Sequence, residues 1–167
     1  MRIAIDAMGG DHAPDEIIKG AHEASQVLDK DDELILIGNQ NKIESQLSVL
    51  NADPKRIRVV HAPEVVGMDE SPVEALRKKR KSSIVIMARM ASRKQFEAAV
   101  SAGNTGAFVA ACQLFLKNLE GVMRPGIAVT IPSFGGPVTI CDVGANVACK
   151  PKNLYQYALM SSVYSTE

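Results

Sequence analysis

The sequence carries no net charge, and this absence removes several classes of partner. Its 19 basic and 19 acidic side chains cancel, so the overall charge does not favour nucleic acid or an anionic membrane. A hydrophobic fraction of 46% is typical of a globular, soluble chain with a core of its own. We therefore expect no nucleic-acid partner.

Long apolar runs are also lacking. Asp6 interrupts the apolar stretch at the N-terminus, which argues against a signal peptide. The longest near-uniform run, residues 107–116, is broken by Gln113 and is too short to cross a bilayer. These features predict a cytoplasmic protein.

Cysteines are few. Cys112, Cys141 and Cys149 form neither an even disulfide set nor a CxxC pair, which favours a reducing compartment. Cys141 and Cys149 could bind zinc together with a histidine, but their spacing matches no common zinc pattern. We expect no metal site.

The familiar cofactor and nucleophile motifs are missing as well. The sequence has no GxGxxG dinucleotide fingerprint, no Walker lysine loop and no GxSxG elbow. Its serines, cysteines and histidines form no recognisable nucleophile arrangement.

What the sequence does contain is an alternation of short apolar runs and amphipathic helices. Runs at 2–7, 34–37 and 57–60 predict buried strands separated by helices, which is typical of a three-layer, doubly wound α/β fold with a mainly parallel sheet. Residues 83–93 predict a further helix, although Ile84 to Met87 could also form a strand.

The rest of the chain continues this pattern with one change. Residues 96–100 predict a strand, and 107–119 predict a helix that ends near Gly121. Two β-rich runs, 127–131 and 138–141, predict a hairpin or a β-arm on the sheet. Lys150-Pro151 opens a last helix, for which we expect a buried face of Leu154, Ala158 and Ser161.

Three polar, glycine-containing turns each follow a predicted strand. They comprise Gly9, Gly10 and Asp11 after Asp6; Ser101, Gly103, Asn104, Thr105 and Gly106; and Asp142, Gly144 and Asn146. Strand ends in an open α/β sheet converge on one crevice, and a helix that begins there offers free N–H groups to an anion. The turns therefore predict one anion-binding crevice.

Each of these residues also has an ordinary structural interpretation. A βα turn with an Asn or Thr cap needs no ligand, and capping is the commonest role of aspartates such as Asp6, Asp11 and Asp142. His12 is the only histidine inside a turn, so it is a candidate for proton transfer or ligand contact, or else a surface residue.

A run of five basic residues closes the helix predicted to begin with a capping box at Ser71. The run comprises Arg77, Lys78, Lys79, Arg80 and Lys81. It has two interpretations: a solvated helix end that complements the helix dipole, or a docking site for an acidic partner protein.

Several segments resemble one known family. Residues 1–14, 69–81, 101–107 and 142–147, with Lys150-Pro151 and 156–158, are similar in content and order to motifs of the PlsX-type phosphate acyltransferases of bacterial phospholipid synthesis. The resemblance covers about the first half of such an enzyme. It also implies a Rossmann-like fold similar to that of the isocitrate and isopropylmalate dehydrogenases, here truncated.

This resemblance implies transfer of a fatty acyl group from acyl carrier protein to inorganic phosphate. Asn104, Thr105, His12 and Asp142 are then the expected catalytic residues. The expected phosphate- or substrate-binding residues are Gly9, Gly10, Asp11, Ser101, Gly103, Gly106, Gly144, Asn146 and Lys150. The resemblance implies no bound cofactor, because the phosphopantetheine belongs to the carrier protein.

Further expectations concern the assembly. The resemblance implies a homodimer at full length, with peripheral membrane contact through the second half, and docking of acyl carrier protein on residues 77–81. Residues 1–167 would form the N-terminal part of one domain, inactive alone. Ala148-Cys149 occupy positions at which the resemblance leads us to expect an acidic residue. If that carboxylate belongs to the site, its absence puts activity in doubt.

Two other functions stay open. One is a related enzyme that transfers acyl groups between phosphate and coenzyme A, which would share the anion-binding turns. The other is a non-catalytic fragment that keeps the fold and binds phosphate.

Overall fold

The structure is a computed structural model that describes residues 1–166. The chain divides into two compact units, Met1–Leu116 and Lys117–Glu167. Within residues 1–166, no helix has the length and apolar character needed to cross a membrane.

A four-stranded parallel sheet forms the centre of the first unit. Its strands are β1 (Arg2–Asp6), β2 (Glu33–Gly38), β3 (Ile57–His61) and β4 (Ala98–Val100), in the order β3-β2-β1-β4. Ile5 pairs with Leu36 of β2 on one side and with Val100 of β4 on the other. The mainly parallel sheet predicted from the apolar runs is confirmed.

Helices cover both faces of this sheet. They are α1 (Asp15–Val27), α2 (Gln40–Val49), α3 (Pro72–Lys78), α4 (Ser83–Ser92) and α5 (Thr105–Leu116). Leu34 and Leu36 of β2 pack in one core cluster with residues of α1 and α2, whereas Ile35 and Ile37 pack with Met87 and Met90 of α4. Successive side chains of a strand point to opposite faces, so β2 is buried on both sides and the unit has three layers.

The order in which strands are added to the sheet reverses between β1 and β4. The chain moves outward from β1 to β3 with α1 and α2 on one face, then returns to the other side of β1 as β4, with α4 on the opposite face. Ligands of doubly wound sheets bind at the carboxyl ends of the strands beside such a reversal. The crevice past Asp6 and Val100 is therefore the place where a site is expected.

An ion pair fastens β1 to the start of β4. The backbone N–H of Arg2 donates to Oε2 of Glu97 at 2.6 Å, and the guanidinium Nε donates to Oε1 at 3.2 Å. The Arg2 guanidinium and then its backbone N–H lower the pKa of Glu97 to about 2. Both side chains are close to half exposed, so the pair fixes register more than it stabilises the fold.

Residues 83–92 form the predicted helix, and the alternative strand at Ile84 to Met87 does not form. Two other local predictions need correction. The helix α5 ends at Leu116, because Lys117 adopts the left-handed conformation (φ 65°) that ends helices, and Gly121 (φ 80°) lies in a later turn. The hydroxyl of Ser71 makes no capping hydrogen bond, so the capping box predicted there does not form.

The second unit consists of a hairpin and a helix. The strands β5 (Ala128–Ile131) and β6 (Val138–Cys141) pair antiparallel, as predicted, and α6 spans Pro151–Tyr164. The face predicted for α6 is wrong: Asn153 and Tyr157 are buried, whereas Leu154 is largely exposed. The reason is local, because Asn153 accepts a hydrogen bond from the backbone N–H of Lys150 at the start of the helix.

Candidate functional site

The turns that follow β1 and β4 touch each other through their glycines. A Cβ atom placed on Gly9 would lie 2.5 Å from Oδ2 of Asp6 and 2.8 Å from the backbone nitrogen of Gly103. A Cβ atom on Gly103 would lie 3.1 Å from the Cα atom of Gly9. Only glycine permits this approach of two backbones. The structure thus brings the first two predicted turns together at the reversal between β1 and β4.

The second glycine of the first turn has a different reason to be glycine. Gly10 has φ +122°, a conformation that side chains rarely adopt, and it faces Ala102 of the other turn. The pair Gly9-Gly10 therefore combines close approach with a backbone reversal.

The carboxylate of Asp6 lies beneath this contact, with an exposed fraction of 1%. One oxygen accepts from the backbone N–H of Met8 at 3.1 Å, and the other accepts from the hydroxyl of Ser101 at 2.9 Å. The N–H of Gly103 donates in turn to the Ser101 hydroxyl at 3.1 Å. Ser101 and Gly103, both predicted to bind substrate, use these groups to fix the turn.

The side chain of Asn104 is also fully engaged. Its exposed fraction is 7%, and its amide nitrogen donates to the carbonyls of Gly67, Met68 and Glu70 at 3.0–3.1 Å. Its oxygen accepts from the N–H of Ala107 at 2.9 Å, which caps α5. Both amide hydrogens thus have acceptors within the fold, which gives Asn104 a positioning role, and its catalytic role stays a prediction.

The free donors of this turn are backbone groups at the start of α5. The N–H of Ala107 bonds to the side chain of Asn104, and that of Phe108 bonds to its carbonyl. Within residues 1–166, no acceptor is bonded to the N–H groups of Thr105 and Gly106, and both residues are exposed. These groups lie at the positive end of the α5 dipole, which favours an anion there.

Gly106 lies against the start of α3. A Cβ atom at Gly106 would come within 2.7 Å of Cγ of Pro72. The absence of a side chain therefore lets the first turns of α3 and α5 pack together beside the free N–H groups.

Asp11 and His12 lie in the exposed part of the first turn. Their side chains form no hydrogen bond or ion pair with any of the described residues, although the carbonyl of His12 accepts from the N–H of Glu16 at 3.2 Å. Their roles in proton transfer or substrate contact stay predictions.

The third predicted turn belongs to the second unit, where Asp142 holds it together. Its carboxylate accepts from the N–H groups of Ile127 at 2.8 Å and Asn146 at 2.7 Å. Burial raises the pKa of Asp142, but these hydrogen bonds outweigh that effect and the net pKa lies below its usual value. This carboxylate fixes the turn, and its catalytic role stays a prediction.

The hydrogen bonds of Asn146, another residue of this turn, also stay within the second unit. The amide of Asn146 donates to the carbonyl of Pro125 at 2.8 Å, and Gly144 has φ +111°. Lys150 is exposed. The predicted substrate contacts of Gly144, Asn146 and Lys150 are untested by this geometry.

The basic run is not a uniform patch. The ammonium of Lys79 donates to the carbonyl of Val65 at 2.7 Å and to the carboxylate of Glu70. Hydrogen bonds from Lys79 and then from the N–H of Gly67 hold the pKa of Glu70 below its usual value. Lys78 pairs with Glu74 at 3.4 Å. Lys79 therefore anchors the loop that Asn104 holds, and its predicted contact with a carrier protein stays a prediction.

Comparison with known proteins identifies the family. The whole chain, residues 1–167, matches the family model described as fatty acid synthesis protein. The chain belongs to this family.

Curated relatives support the assignment. A protein named phosphate acyltransferase from Desulforamulus reducens is 48% identical over 165 residues, which cover 99% of this chain and 49% of that protein. One of the same name from Heliobacterium modesticaldum is 48% identical over 166 residues, with 99% and 49% coverage. The chain thus spans about half the length of these relatives.

A solved structure confirms the fold class. The EutD phosphotransacetylase from Staphylococcus aureus superposes with a TM-score of 0.61 over 92% of this chain and 49% of that one. At 20% identity, this similarity concerns the fold alone.

Among residues 1–166 of this family member, no three His, Cys, Asp or Glu side chains cluster closely enough to hold a metal ion. Cys112, Cys141 and Cys149 are free thiols.

The glycine contact generates a prediction with a matched control. Gly9→Ala forces a Cβ atom into Asp6 and the Gly103 backbone, so we expect a loss of about 1–3 kcal/mol in the free energy of unfolding measured in urea. Gly20→Ala in α1 meets no atom within 4 Å and should stabilise by about 0.5–1 kcal/mol. Equal stabilities of the two variants would contradict the contact.

Asn104 allows a second test. Asn104→Ala leaves the carbonyls of Met68 and Glu70 and the N–H of Ala107 without partners, so we expect a loss of about 1–3 kcal/mol. Asn104→Asp should destabilise further, because a carboxylate would face the same carbonyls. Asn118→Ala removes an exposed amide that also bonds to two carbonyls, and its effect in the same urea titration should be small. A stable Asn104→Asp variant would contradict the positioning role.

Proposed function

We propose that the protein containing this chain transfers a fatty acyl group from acyl carrier protein to inorganic phosphate, and that the acyl phosphate feeds phospholipid synthesis. The relatives named phosphate acyltransferase support acyl transfer with phosphate. The carrier-protein donor and the role in lipid synthesis extend that conclusion, as implied by the sequence motifs.

One observation carries the proposal: the pair of free N–H groups at Thr105 and Gly106. They lie at a helix start, beside the reversal in strand order, where doubly wound sheets bind their ligands. The geometry suits a phosphate oxygen, and the exposed position allows phosphate to enter from solvent.

The chemistry needs no nucleophile from the protein. A phosphate oxygen attacks the thioester carbonyl carbon, a C–O bond forms, and the C–S bond breaks. The phosphate proton passes to the leaving thiolate, so the products are acyl phosphate and the carrier thiol, whose pKa is about 8.5. The protein must hold phosphate close to the carbonyl and stabilise the oxyanion that develops.

We assign the residues to these tasks as follows. The N–H groups of Thr105 and Gly106 bind phosphate, and the Thr105 hydroxyl adds a further donor. Gly9 and Gly10 hold the first turn against the second, and the exposed Asp11 and His12 lie where the pantetheine arm would approach, with His12 as the group that relays the proton. A catalytic role of Asp142 and substrate contacts of Gly144, Asn146 and Lys150 are part of the proposal through the sequence motifs alone.

The wider setting is part of the same proposal. We infer a cytoplasmic enzyme without a cofactor of its own. The full-length protein would form a homodimer and contact the membrane peripherally through sequence that corresponds to the second half of its relatives. Residues 1–167 alone would bind phosphate but turn over poorly, because part of the site would come from that second half.

The Thr105 position tests the phosphate site. Thr105→Val removes only the hydroxyl, whereas Thr105→Pro also removes the N–H, and proline is well tolerated at the first position of a helix. We expect phosphate affinity, measured by calorimetry on the 167-residue chain, to fall more in Thr105→Pro than in Thr105→Val. Equal affinities in wild type and both variants would contradict phosphate binding at this helix start.

The donor is tested by turnover. A version of this protein extended to the full length of its relatives should form palmitoyl phosphate faster from palmitoyl-carrier protein than from palmitoyl-coenzyme A. The 167-residue chain serves as the comparison and should be slow with both. Preference for the coenzyme A thioester would favour the related phosphotransacetylase chemistry, and a fast 167-residue chain would show that the site is complete in this half.

A further inference from the structure

A groove with an apolar floor lies between α3, α4 and α5 of the first unit. Its volume is about 590 Å³. Leu76 of α3, Val85 of α4 and Ala110 and Phe115 of α5 form the floor. Val73 and Leu114 stand at its sides with exposed fractions of 56% and 64%. The floor is therefore apolar and open to solvent, and Gln113 is the polar uncharged residue of the lining.

Arginines surround this floor. Arg77, Arg80 and Arg89 line the groove, and no acidic residue does. Within residues 1–166, no carboxylate forms an ion pair with any of the three. The guanidinium of Arg89 lies 5.3 Å from the centre of the Phe115 ring, a cation–π contact that holds its charge against the floor.

The positive charge of the groove indicates the chemical class of its ligand. Uncompensated arginines around an apolar floor complement a ligand that is itself apolar on one side and acidic at its edges. A groove formed by packed helices commonly receives an amphipathic helix in this way. The two exposed apolar residues, Val73 and Leu114, match the apolar face of such a helix.

We propose that this groove docks an acidic amphipathic helix of acyl carrier protein, an inference that rests on the proposed function. It revises the docking site expected from the basic run: Arg77 and Arg80 are kept, and Arg89 and Leu114 are added. The proposal leaves out the three lysines that do not line the groove, Lys78, Lys79 and Lys81. Arg89 on α4 and Leu114 on α5 lie outside the basic run of residues 77–81.

The position of the groove suits delivery of the acyl group. The helix α5 links it to the free N–H groups, because Leu114 follows Thr105 by nine residues, or about 14 Å along a helix. An extended pantetheine arm can cover such a distance. Docking on α3 and α5 also places the partner on the two helices that meet at Gly106 and Pro72.

The test is binding of fluorescently labelled palmitoyl-carrier protein to the 167-residue chain, measured by anisotropy. The double variant Arg77→Glu/Arg80→Glu should weaken binding about tenfold or more, with a strong dependence on salt. Leu114→Ala removes an exposed contact outside the core and should weaken binding about threefold to tenfold.

Matched controls lie on the other face of the sheet. Lys42→Glu on α2 reverses an exposed charge, and Val27→Ala at the end of α1 truncates a side chain that is 85% exposed. Both should bind as wild type. Phosphate affinity of every variant is measured in parallel and should be unchanged, which separates failure of docking from failure of the phosphate site.

Five outcomes would overturn the inference. Unchanged carrier binding in the groove variants would do so, as would weakening by the arginine changes alone, since the apolar floor would then play no part. So would phosphate binding without carrier binding by the wild-type chain. Binding to phosphatidylglycerol vesicles that the same variants abolish, without carrier binding, would assign the groove to a lipid surface. A dimer in sedimentation that Leu114→Ala dissociates would assign it to a second copy.

Discussion

The buried carboxylate of Asp6 is the interaction on which the candidate site depends. It ends β1, accepts from Met8 in its own turn and accepts from Ser101 in the turn after β4. A buried carboxylate is costly unless it is hydrogen-bonded, so these two donors must stay in place and the two turns must stay together. Because the turns meet through Gly9 and Gly103, their backbones come close enough to share one crevice.

A second set of polar contacts connects this crevice to α3. Asn104 binds the loop 67–70 and caps α5, while Lys79 binds the same loop from its other side through Glu70. The loop is thus fixed between the helix whose start binds an anion in our proposal and the helix that carries the basic run. Side chains that resemble binding groups in the sequence, such as that of Asn104, are therefore already hydrogen-bonded within the protein. The free donors are backbone N–H groups.

The sequence was sufficient to predict the sheet and the turns, but it was not sufficient to predict the hydrogen bonds within the turns. Apolar runs such as residues 34–37 predict a strand buried on both faces, and Gly-rich segments after strands predict the βα turns, because both signals are local. The engagement of Asn104 was not predictable, since its partners Gly67 and Met68 lie in a loop without a pattern of its own. The sequence misplaces the end of α5 for a similar reason: Lys117 adopts a conformation for which glycine is the usual signal, so the pattern points to Gly121.

The central claim is that phosphate binds at the start of α5, and amide chemical shifts report on it most directly. In a titration of the isotopically labelled 167-residue chain with inorganic phosphate, followed by ¹⁵N–¹H correlation spectra, the N–H signals of Thr105 and Gly106 should move furthest and saturate together. Those of Gly103 and Ala107, already bonded within the turn, should move less. Saturating shifts confined to another part of the chain, or no saturation at Thr105 and Gly106, would contradict the claim.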